Sequence, residues 1–420
     1  MPYLLDRPLR FCMITTFYPP YNFGGDGIFV HQLSNELASR GHKVDVIHCI
    51  DAYQTLTHEE PQTGYSDHPN VTVHGLKTRF GPLSTLATQQ TGMPAFKSTR
   101  IRQILEKGFD VIHYHNVSLV GGPRILAYGQ GIKLYTMHEY WLICPTHMLF
   151  KFNRVPCTAR QCLLCGFSYK RPPQWWRYLG LLKSAVKHVD AFIAPSRFIK
   201  DRHGAELDIP IVYLPNFVPA SENNGTALSD HPSGEPPYFL FVGRLESLKG
   251  LQTVIPLFRR YPRAQLWIAG AGNYETHLRQ LAGGNPNIRF LGYQSGEALK
   301  ALYRNALAAI VPSLYYENFP LVTIEAFRQQ TPVIVRNLGG LPEIVRESGG
   351  GFAFDSSEDL EKAVDKLVAD PYSRREMGLK GYHAYKNNWT AESHLRGYFG
   401  LIQQIGDNRS RKTKSAAGPI

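Results

Sequence analysis

The sequence predicts an α/β protein built as two doubly wound domains, and three observations carry that reading. Apolar, β-prone runs alternate with helix-length segments along most of the chain, the pattern of βαβ units and a parallel sheet. The alternation stops at 219–237, a stretch rich in Pro, Ser, Gly, Asn and acids, and then restarts. At 420 residues the chain is also longer than one ordinary core accommodates.

In the first half, 10–16 reads as a strand and 29–40 as a helix, closed by Gly41 at the C-cap position. Strands are expected at 43–49, 71–76, 110–115, 133–138, 191–195 and 211–214. After the break they resume at 238–242, 265–269, 288–291, 308–311, 332–335 and 351–354. The division is a first domain at 1–218, a linker at 219–237 and a second domain at 238–406, whose last helix is expected to pack back on the first. The polar, basic tail at 407–420 is expected to be disordered. Two such domains would enclose a cleft at the carboxyl ends of their strands.

Hydrophobic residues make up 43% and charged residues 19%, as in a globular protein, and no apolar run approaches the roughly 20 residues needed to span a bilayer. The start, Met1 to Arg10, lacks the basic and then apolar pattern of a secretion signal, so a cytoplasmic location is expected. The net charge of +12 is uneven: Lys151 to Val189 holds eight Lys or Arg and no acid, and the tail adds Arg409, Arg411, Lys412 and Lys414. Such clusters suit phosphates, acidic lipid surfaces or nucleic acid.

The most informative stretch is 311–326, Val-Pro-Ser-Leu-Tyr-Tyr-Glu-Asn-Phe-Pro-Leu-Val-Thr-Ile-Glu-Ala. Glu317 and Glu325 stand eight positions apart across a strand–loop–helix junction. Pro320 fits the first turn of the helix, where its missing N–H is no loss. The N–H groups of Leu321 and Val322 would then face a phosphate, helped by the helix dipole. One acid reaches beyond the phosphates and the other nearer the helix, the layout of a hexose, a diphosphate and a ribose. After the strand at 238–242, Arg244 and Lys249 come together at its carboxyl end, where both suit a diphosphate. In the first half, Gly24 and Gly25 follow the first strand and permit close backbone approach to a ligand. Their spacing is not the dinucleotide fingerprint.

Taken together, Gly24-Gly25 with His31, Asp110-Val111-Ile112-His113-Tyr114-His115, Ala194-Pro195-Ser196, Val242-Gly243-Arg244-Leu245 with Lys249-Gly250, the Glu317 and Glu325 pair, and Gly339-Gly340-Leu341-Pro342-Glu343-Ile344-Val345 resemble glycosyltransferase family 4. The resemblance covers nearly the whole chain. It implies the GT-B fold, two facing Rossmann-like domains with an interdomain cleft. It also implies a retaining enzyme that moves a sugar from a nucleotide-sugar donor to a glycan or lipid-linked acceptor, in cell-surface polysaccharide or glycolipid synthesis.

By the same resemblance Arg244 and Lys249 hold the donor diphosphate and Glu325 the ribose hydroxyls. Glu317 lies near the transferred sugar, with the Phe319–Val322 backbone (Phe319, Leu321, Val322) beside sugar and phosphates. Gly24 and Gly25 border the diphosphate, and His115, nearer the strand's end than His113, touches the sugar near the reacting carbon. The catalytic set is His115, Glu317, Arg244 and Lys249. Pro320 and Thr331 stand where the family often has Gly, and an acid common before the strand at 308–311 is absent. No Asp-x-Asp motif is present, so no catalytic metal is expected, and nucleic acid is not an expected partner. Two other readings remain: a nucleotide-sugar epimerase on the same fold, and a non-catalytic, metal-stabilised nucleotide-sugar-binding scaffold.

Cys144, Cys157, Cys162 and Cys165 lie within 22 residues as an insertion at 144–165. Four thiols so spaced suit a structural zinc or, alternatively, an iron–sulfur cluster, since a cytoplasmic protein rarely keeps stable disulfides. Cys12 and Cys49 read as core. Between 174 and 189, Trp175, Tyr178, Leu179, Leu182, Val186 and Val189 fall on one helical stripe, with Arg177, Lys183 and Lys187 off it. That helix is expected to dock its stripe on the sheet and to leave Trp176 outside beside the cations, facing an anionic membrane surface at the inner face of the membrane.

Overall fold

The structure is a computed structural model that describes residues 7–22, 24–57, 60–61, 64–220 and 236–416, without the side chains of 412–416. Most of the expected linker, 221–235, lies outside the described residues. The chain forms two compact units. The first draws on the chain as far as Met148, on Ala159–Leu214 and on the chain from His394 onward; the second comprises Leu149–Thr158 and Pro215–Ser393.

In chain order the first strands are β1 (Arg10–Ile14), β2 (Lys43–Cys49), β3 (Val71–Leu76), β4 (Val111–Tyr114), β5 (Ile132–Thr136), β6 (Phe150–Lys151), β7 (Val155–Pro156), β8 (Ala191–Ala194) and β9 (Ile211–Tyr213). The first unit holds a seven-stranded parallel sheet in the order β3-β2-β1-β4-β5-β8-β9. β6 and β7 form a separate antiparallel hairpin. Phe11, Cys12, Met13 and Ile14 of β1 are all 0% exposed, so this strand is an unbroken apolar run rather than an alternating one, as a parallel sheet covered on both faces requires. Cys12 and Cys49 lie in this core. The order reverses beside β1, between β2 and β4, and an open sheet of this kind receives ligands at the carboxyl ends of its strands there.

The second unit repeats the plan with β10 (Tyr238–Val242), β11 (Gln265–Ala269), β12 (Ile288–Gly292), β13 (Ala308–Val311), β14 (Val333–Arg336) and β15 (Gly351–Phe354). Its six parallel strands run β12-β11-β10-β13-β14-β15, with the reversal between β11 and β13, beside β10. One face buries Phe239, Phe241, Ile268 and Ile310, and the other Leu240, Trp267, Ala309 and Val311, so side chains alternate between two apolar layers.

The last helix, Ala391–Ala416, belongs from His394 onward with the first unit. It buries Leu395, Tyr398, Leu401 and Ile402 at helical spacing. Tyr398 stacks on Phe11 of β1, with ring centroids 6.2 Å apart. The expected disorder from 407 is corrected: the helix continues to Ala416. Arg409 donates to Asp190 Oδ2 at 2.6 Å, and cations in the last turns complement the negative end of the helix dipole, which composition alone does not register.

The expected helix over 174–189 is also corrected. It breaks into a turn at Trp175–Arg177, a short helix at Leu181–Ala185 and a turn at Val186–His188, because Gly180 adopts a left-handed conformation (φ 69°) between them. Trp176 is buried, its indole N–H donating to the Gln89 carbonyl at 3.0 Å. Trp175, Tyr178 and Leu179, expected inside, are exposed. Among the described residues no helix is long and apolar enough to cross a membrane.

Candidate active site

The second unit gathers the charged residues of its site at the β10 and β13 ends. After β10 the chain turns through Arg244 and a short 3-10 turn, Ser247–Lys249, to Gly250. Gly250 has φ 75°, and a Cβ there would stand 2.0 Å from the Pro312 carbonyl oxygen. This glycine therefore lets the loop after β10 lie directly on the loop after β13. Across that contact Lys249 Nζ donates to Glu317 Oε1 at 2.7 Å and to the Tyr315 hydroxyl at 3.1 Å. Ser313 Oγ donates to the same Glu317 oxygen at 2.7 Å.

Burial alone would push the Glu317 carboxyl up, but Lys249, Ser313 and Tyr315 hold it below the ordinary range. Burial opposes the charge of Lys249 as well, and the Glu317 charge outweighs it and raises the ammonium. The Tyr315 hydroxyl is pushed up to about 12, first by burial and then by Glu317. The site thus holds one fixed, fully ionised pair. An ammonium has three N–H donors; two are taken by Tyr315 and Glu317, which leaves the third for a ligand oxygen.

Arg244 is half-exposed and pairs with Glu246 at 2.7 Å. An exposed pair of this kind is weak, so the guanidinium can exchange Glu246 for a stronger anion. The helix Leu321–Arg328 starts one residue later than expected, which corrects the placement of Pro320: it is the N-cap residue. Its ring costs none of the helix's own donors. Thr323 N bonds the Pro320 carbonyl, and the N–H groups of Leu321 and Val322 occupy the first turn, ahead of intrahelical pairing. Phe319 turns its ring edge-on to Trp389 at 6.4 Å, so it contributes backbone rather than side chain. Gly340 N donates to the Glu317 carbonyl at 2.8 Å, and a Cβ on Gly340 would meet the Asn318 carbonyl oxygen at 2.3 Å. The Gly339-Gly340 turn thereby fixes the loop that carries Glu317.

Glu325 sits on the same helix, its Oε2 accepting from the Tyr303 hydroxyl at 3.0 Å. Burial raises its carboxyl above the ordinary range, against Arg328 and Tyr303. Glu317 and Glu325 are therefore held differently, the first by a cation and the second by a neutral donor.

In the first unit, Gly24 caps the helix Gly25–Ser39 after β1. A Cβ on Gly25 would meet nothing within 4 Å, while one on Gly24 would meet Asp26 Oδ1 at 2.7 Å. Asp26 stands in the first helical turn and accepts from Asn116 Nδ2 at 3.3 Å. Burial, with the charge of Glu139, raises its carboxyl. His115 follows β4. Its Nδ1 is 2.9 Å from His138 Nε2, and its Nε2 is buried with no hydrogen-bond partner among the described residues. His113 is satisfied on both nitrogens, by Thr136 Oγ1 at 2.8 Å and the Tyr398 hydroxyl at 2.9 Å. Burial holds His113, His115 and His138 low, His138 at about 3, so all three are neutral at neutral pH. A neutral imidazole with one open nitrogen can hold a ligand hydroxyl without adding charge.

Tyr315, Ser313, Tyr303, Asp26, Asn116 and His138 are site residues that sequence reasoning did not assign. Ser313 and Tyr315 lie inside the 311–326 stretch and His138 beside the strand end at 136, so position was an available signal for those three.

The structure does not assemble the expected four-sulfur metal centre. Cys144 and Cys165 lie near enough to raise the Cys162 thiol, after the larger effect of burial. Yet among the described residues no three His, Cys, Asp or Glu side chains gather as a metal-holding group, and Cys157 belongs to the segment Leu149–Thr158 of the other unit. The residues as placed do not fit a tetrahedral zinc or an iron–sulfur cluster.

Comparison with known proteins agrees with the fold. Residues 228–384 match the family model of glycosyl transferases group 1, and residues 23–222 that of Glycosyltransferase Family 4. An uncharacterized glycosyltransferase of Methanocaldococcus jannaschii is 37% identical over 379 residues, covering 86% of this chain and 90% of that protein. A D-inositol 3-phosphate glycosyltransferase of Corynebacterium jeikeium is 38% identical over 405 residues, covering 88% of this chain and 90% of that protein. Among solved structures, Anabaena Alr3699/HepE in complex with UDP superposes with a TM-score of 0.60 at 15% identity, covering 97% of this chain and all of the other.

Proposed function

The chain belongs to glycosyltransferase family 4 and is a glycosyltransferase of the GT-B fold; from that premise we propose that it transfers a sugar, with retention of configuration, from a nucleotide-sugar donor to a glycan or lipid-linked acceptor, in the synthesis of cell-surface polysaccharide or glycolipid. The observation that carries the reading is the Lys249–Glu317 pair at the reversal point of the second sheet, with Glu325 one helix turn beyond the free N–H groups. Lys249 and Arg244 supply positive charge where a diphosphate leaves. Glu325 accepts from the ribose hydroxyls, and Glu317 orients the lysine and the transferred sugar. His115 holds a sugar hydroxyl through its open Nε2. The acceptor oxygen bonds to the anomeric carbon on the face that the diphosphate vacates, and the acceptor proton passes to the departing phosphate oxygen. Cations and N–H groups already in place stabilise the charge that develops there, an effect worth roughly 10²–10³ in rate per donor.

The deciding experiment incubates the protein with candidate nucleotide sugars, with and without acceptor, and analyses the product by mass and by anomeric configuration. Transfer with retention supports the proposal. Conversion of the donor without acceptor would establish the epimerase instead, and nucleotide-sugar binding without turnover would establish the scaffold.

A further inference from the structure

Within the first unit, the cysteine-bearing insertion frames a cleft of ≈ 280 Å³. Its lining includes Arg160, Arg171 and Arg177, together with Leu163, Tyr178 and Leu182. One acid lines it, Glu206, and that acid is paired with Arg160. Arg171 and Arg177 have no carboxylate partner among the described residues. Arg171 donates to the Thr146 carbonyl at 3.2 Å. Arg177 donates to the carbonyls of Trp141 and Leu142 and to Gln174 Oε1. These neutral acceptors hold the guanidinium rigidly over the Trp176 ring, 4.4 Å from its centroid, and the nearby Glu139, bonded to His147, offsets part of its charge. Burial lowers Arg177 to about 10, still cationic at neutral pH. A largely shielded, rigid guanidinium whose donors go to neutral acceptors favours an anion, and its fork matches phosphate oxygens.

Leu163 and Tyr178 line the cleft and are also exposed, by 45% and 63%. Beside them in the chain, Leu164, Phe167, Trp175 and Leu179 are exposed too, Leu179 by 80%. Exposed large apolar side chains clustered in one short segment mark a contact surface. Lys170, Lys183 and Lys187 stand exposed in the same segment, so the charge of the surface favours an anionic amphiphile over a neutral one.

We propose that this cleft is the seat of a lipid-linked acceptor's phosphate: a phosphate or diphosphate ester with a long apolar chain, its phosphate on Arg171 and Arg177 and its chain over Leu163, Tyr178 and Leu179. The proposal rests on the reading of the protein as using a lipid-linked acceptor, and it locates the part of that acceptor which is not sugar.

The test uses the full chain and direct binding of three probes: dodecyl phosphate below its micelle concentration, a neutral dodecyl glycoside, and inorganic pyrophosphate. Dodecyl phosphate should bind at least tenfold more tightly than either of the others. Arg171→Gln should weaken dodecyl phosphate and pyrophosphate alike, by tenfold or more. Leu179→Ser, at a position exposed enough to leave folding intact, should weaken dodecyl phosphate severalfold and leave pyrophosphate unchanged. Nucleoside diphosphate binding, measured in parallel, should be the same in wild type and both variants, which shows that they fold. Equal binding of the neutral glycoside overturns the proposal, as does pyrophosphate binding as tightly as dodecyl phosphate. If Arg171→Gln fails to fold, the wild-type contrast between charged and neutral amphiphile, with Leu179→Ser, still decides. A wild type that binds dodecyl phosphate but no nucleoside diphosphate would refute the donor reading and leave this site standing.

Discussion

Lys249 and Glu317, 68 residues apart in sequence, form a buried ion pair at 2.7 Å that joins the loop after β10 to the loop after β13. Both side chains are largely shielded, at 22% and 11% exposure. The pair therefore has two consequences at once: it places an ammonium at the sheet's reversal point, and it couples the integrity of the site to that of the second unit. Arg244, half-exposed beside Glu246, shares the first role without the second.

That difference separates two variants that look alike in sequence. Lys249→Ala leaves Glu317 as a buried carboxylate without its cation, which costs about 3–5 kcal/mol in comparable pairs. It should lower the melting temperature of the second unit as well as turnover. Arg244→Ala should lower turnover by roughly 10²–10³ and change stability by less than about 1 kcal/mol. Calorimetry and steady-state rates on both variants check this, and equal melting temperatures would show that the pair contributes little to the fold.

Gly250→Ala should damage the same contact from the backbone side. The new Cβ would stand 2.0 Å from the Pro312 carbonyl oxygen, at a φ of 75° that side chains rarely adopt. Strain of this kind costs on the order of 1–3 kcal/mol, and the loop must move away from Pro312 to relieve it. Chemical denaturation should register the loss, and nucleoside diphosphate binding should weaken because Lys249 moves with its neighbour. An alanine variant with wild-type binding would mean that the loop tolerates the shift.

Glu325 and Tyr303 provide a graded pair of tests. If Glu325 binds the ribose, Glu325→Ala should raise KM for the donor with a smaller effect on kcat, the signature of uniform binding. Tyr303→Phe removes only the hydroxyl that donates to Glu325 Oε2 at 3.0 Å. It should reproduce a fraction of the same effect, about 1 kcal/mol for one hydrogen bond. Isothermal titration with nucleoside diphosphate reads both, and a deoxyribose analogue should bind Glu325→Ala and wild type equally.

How much of this was legible beforehand follows from the physics of each feature. Strand positions fell within a residue or two of expectation at β2, β10, β11 and β13, because strands buried on both faces are short apolar runs that need no context. Glu317, Glu325, Arg244 and Lys249 were legible as a motif, but the bond between Lys249 and Glu317 was not, since it depends on β10 lying next to β13. The segment 174–189 misled because its apolar spacing is helical while Gly180 prefers a left-handed turn, and the turn prevailed. The cysteines misled for a related reason: spacing records how near thiols are along the chain, not whether their sulfurs gather, and among the described residues no three such side chains gather as a metal-holding group. Tyr303 and Asp26 carried no local signal; their roles arise from tertiary packing alone.

The histidines at the β4 and β5 ends predict an acid-sensitive first unit. The His113 and His115 rings lie 4.0 Å apart, tilted to one another, His115 bonds His138, and His394 stacks on Tyr398 of the same last helix. Burial keeps His113, His115 and His138 neutral in the folded state, with His138 at about 3 against an ordinary 6.5. Below pH 6.5 the unfolded chain binds protons that the folded chain refuses, so stability rises with pH across this window. It is fully present above about 6.5 and is lost progressively as pH falls toward the folded values. Each refused proton costs about 1.4 kcal/mol per pH unit, hence about 2 kcal/mol per histidine by pH 5. His138→Gln removes one titrating group while keeping a hydrogen-bonding side chain beside His115. Its stability should fall less steeply between pH 6.5 and 5 than that of the wild type, whatever the offset at pH 7. Denaturant melts at four or five pH values in that range check the slope, and parallel curves for the two proteins would show that His138 titrates in the folded state after all.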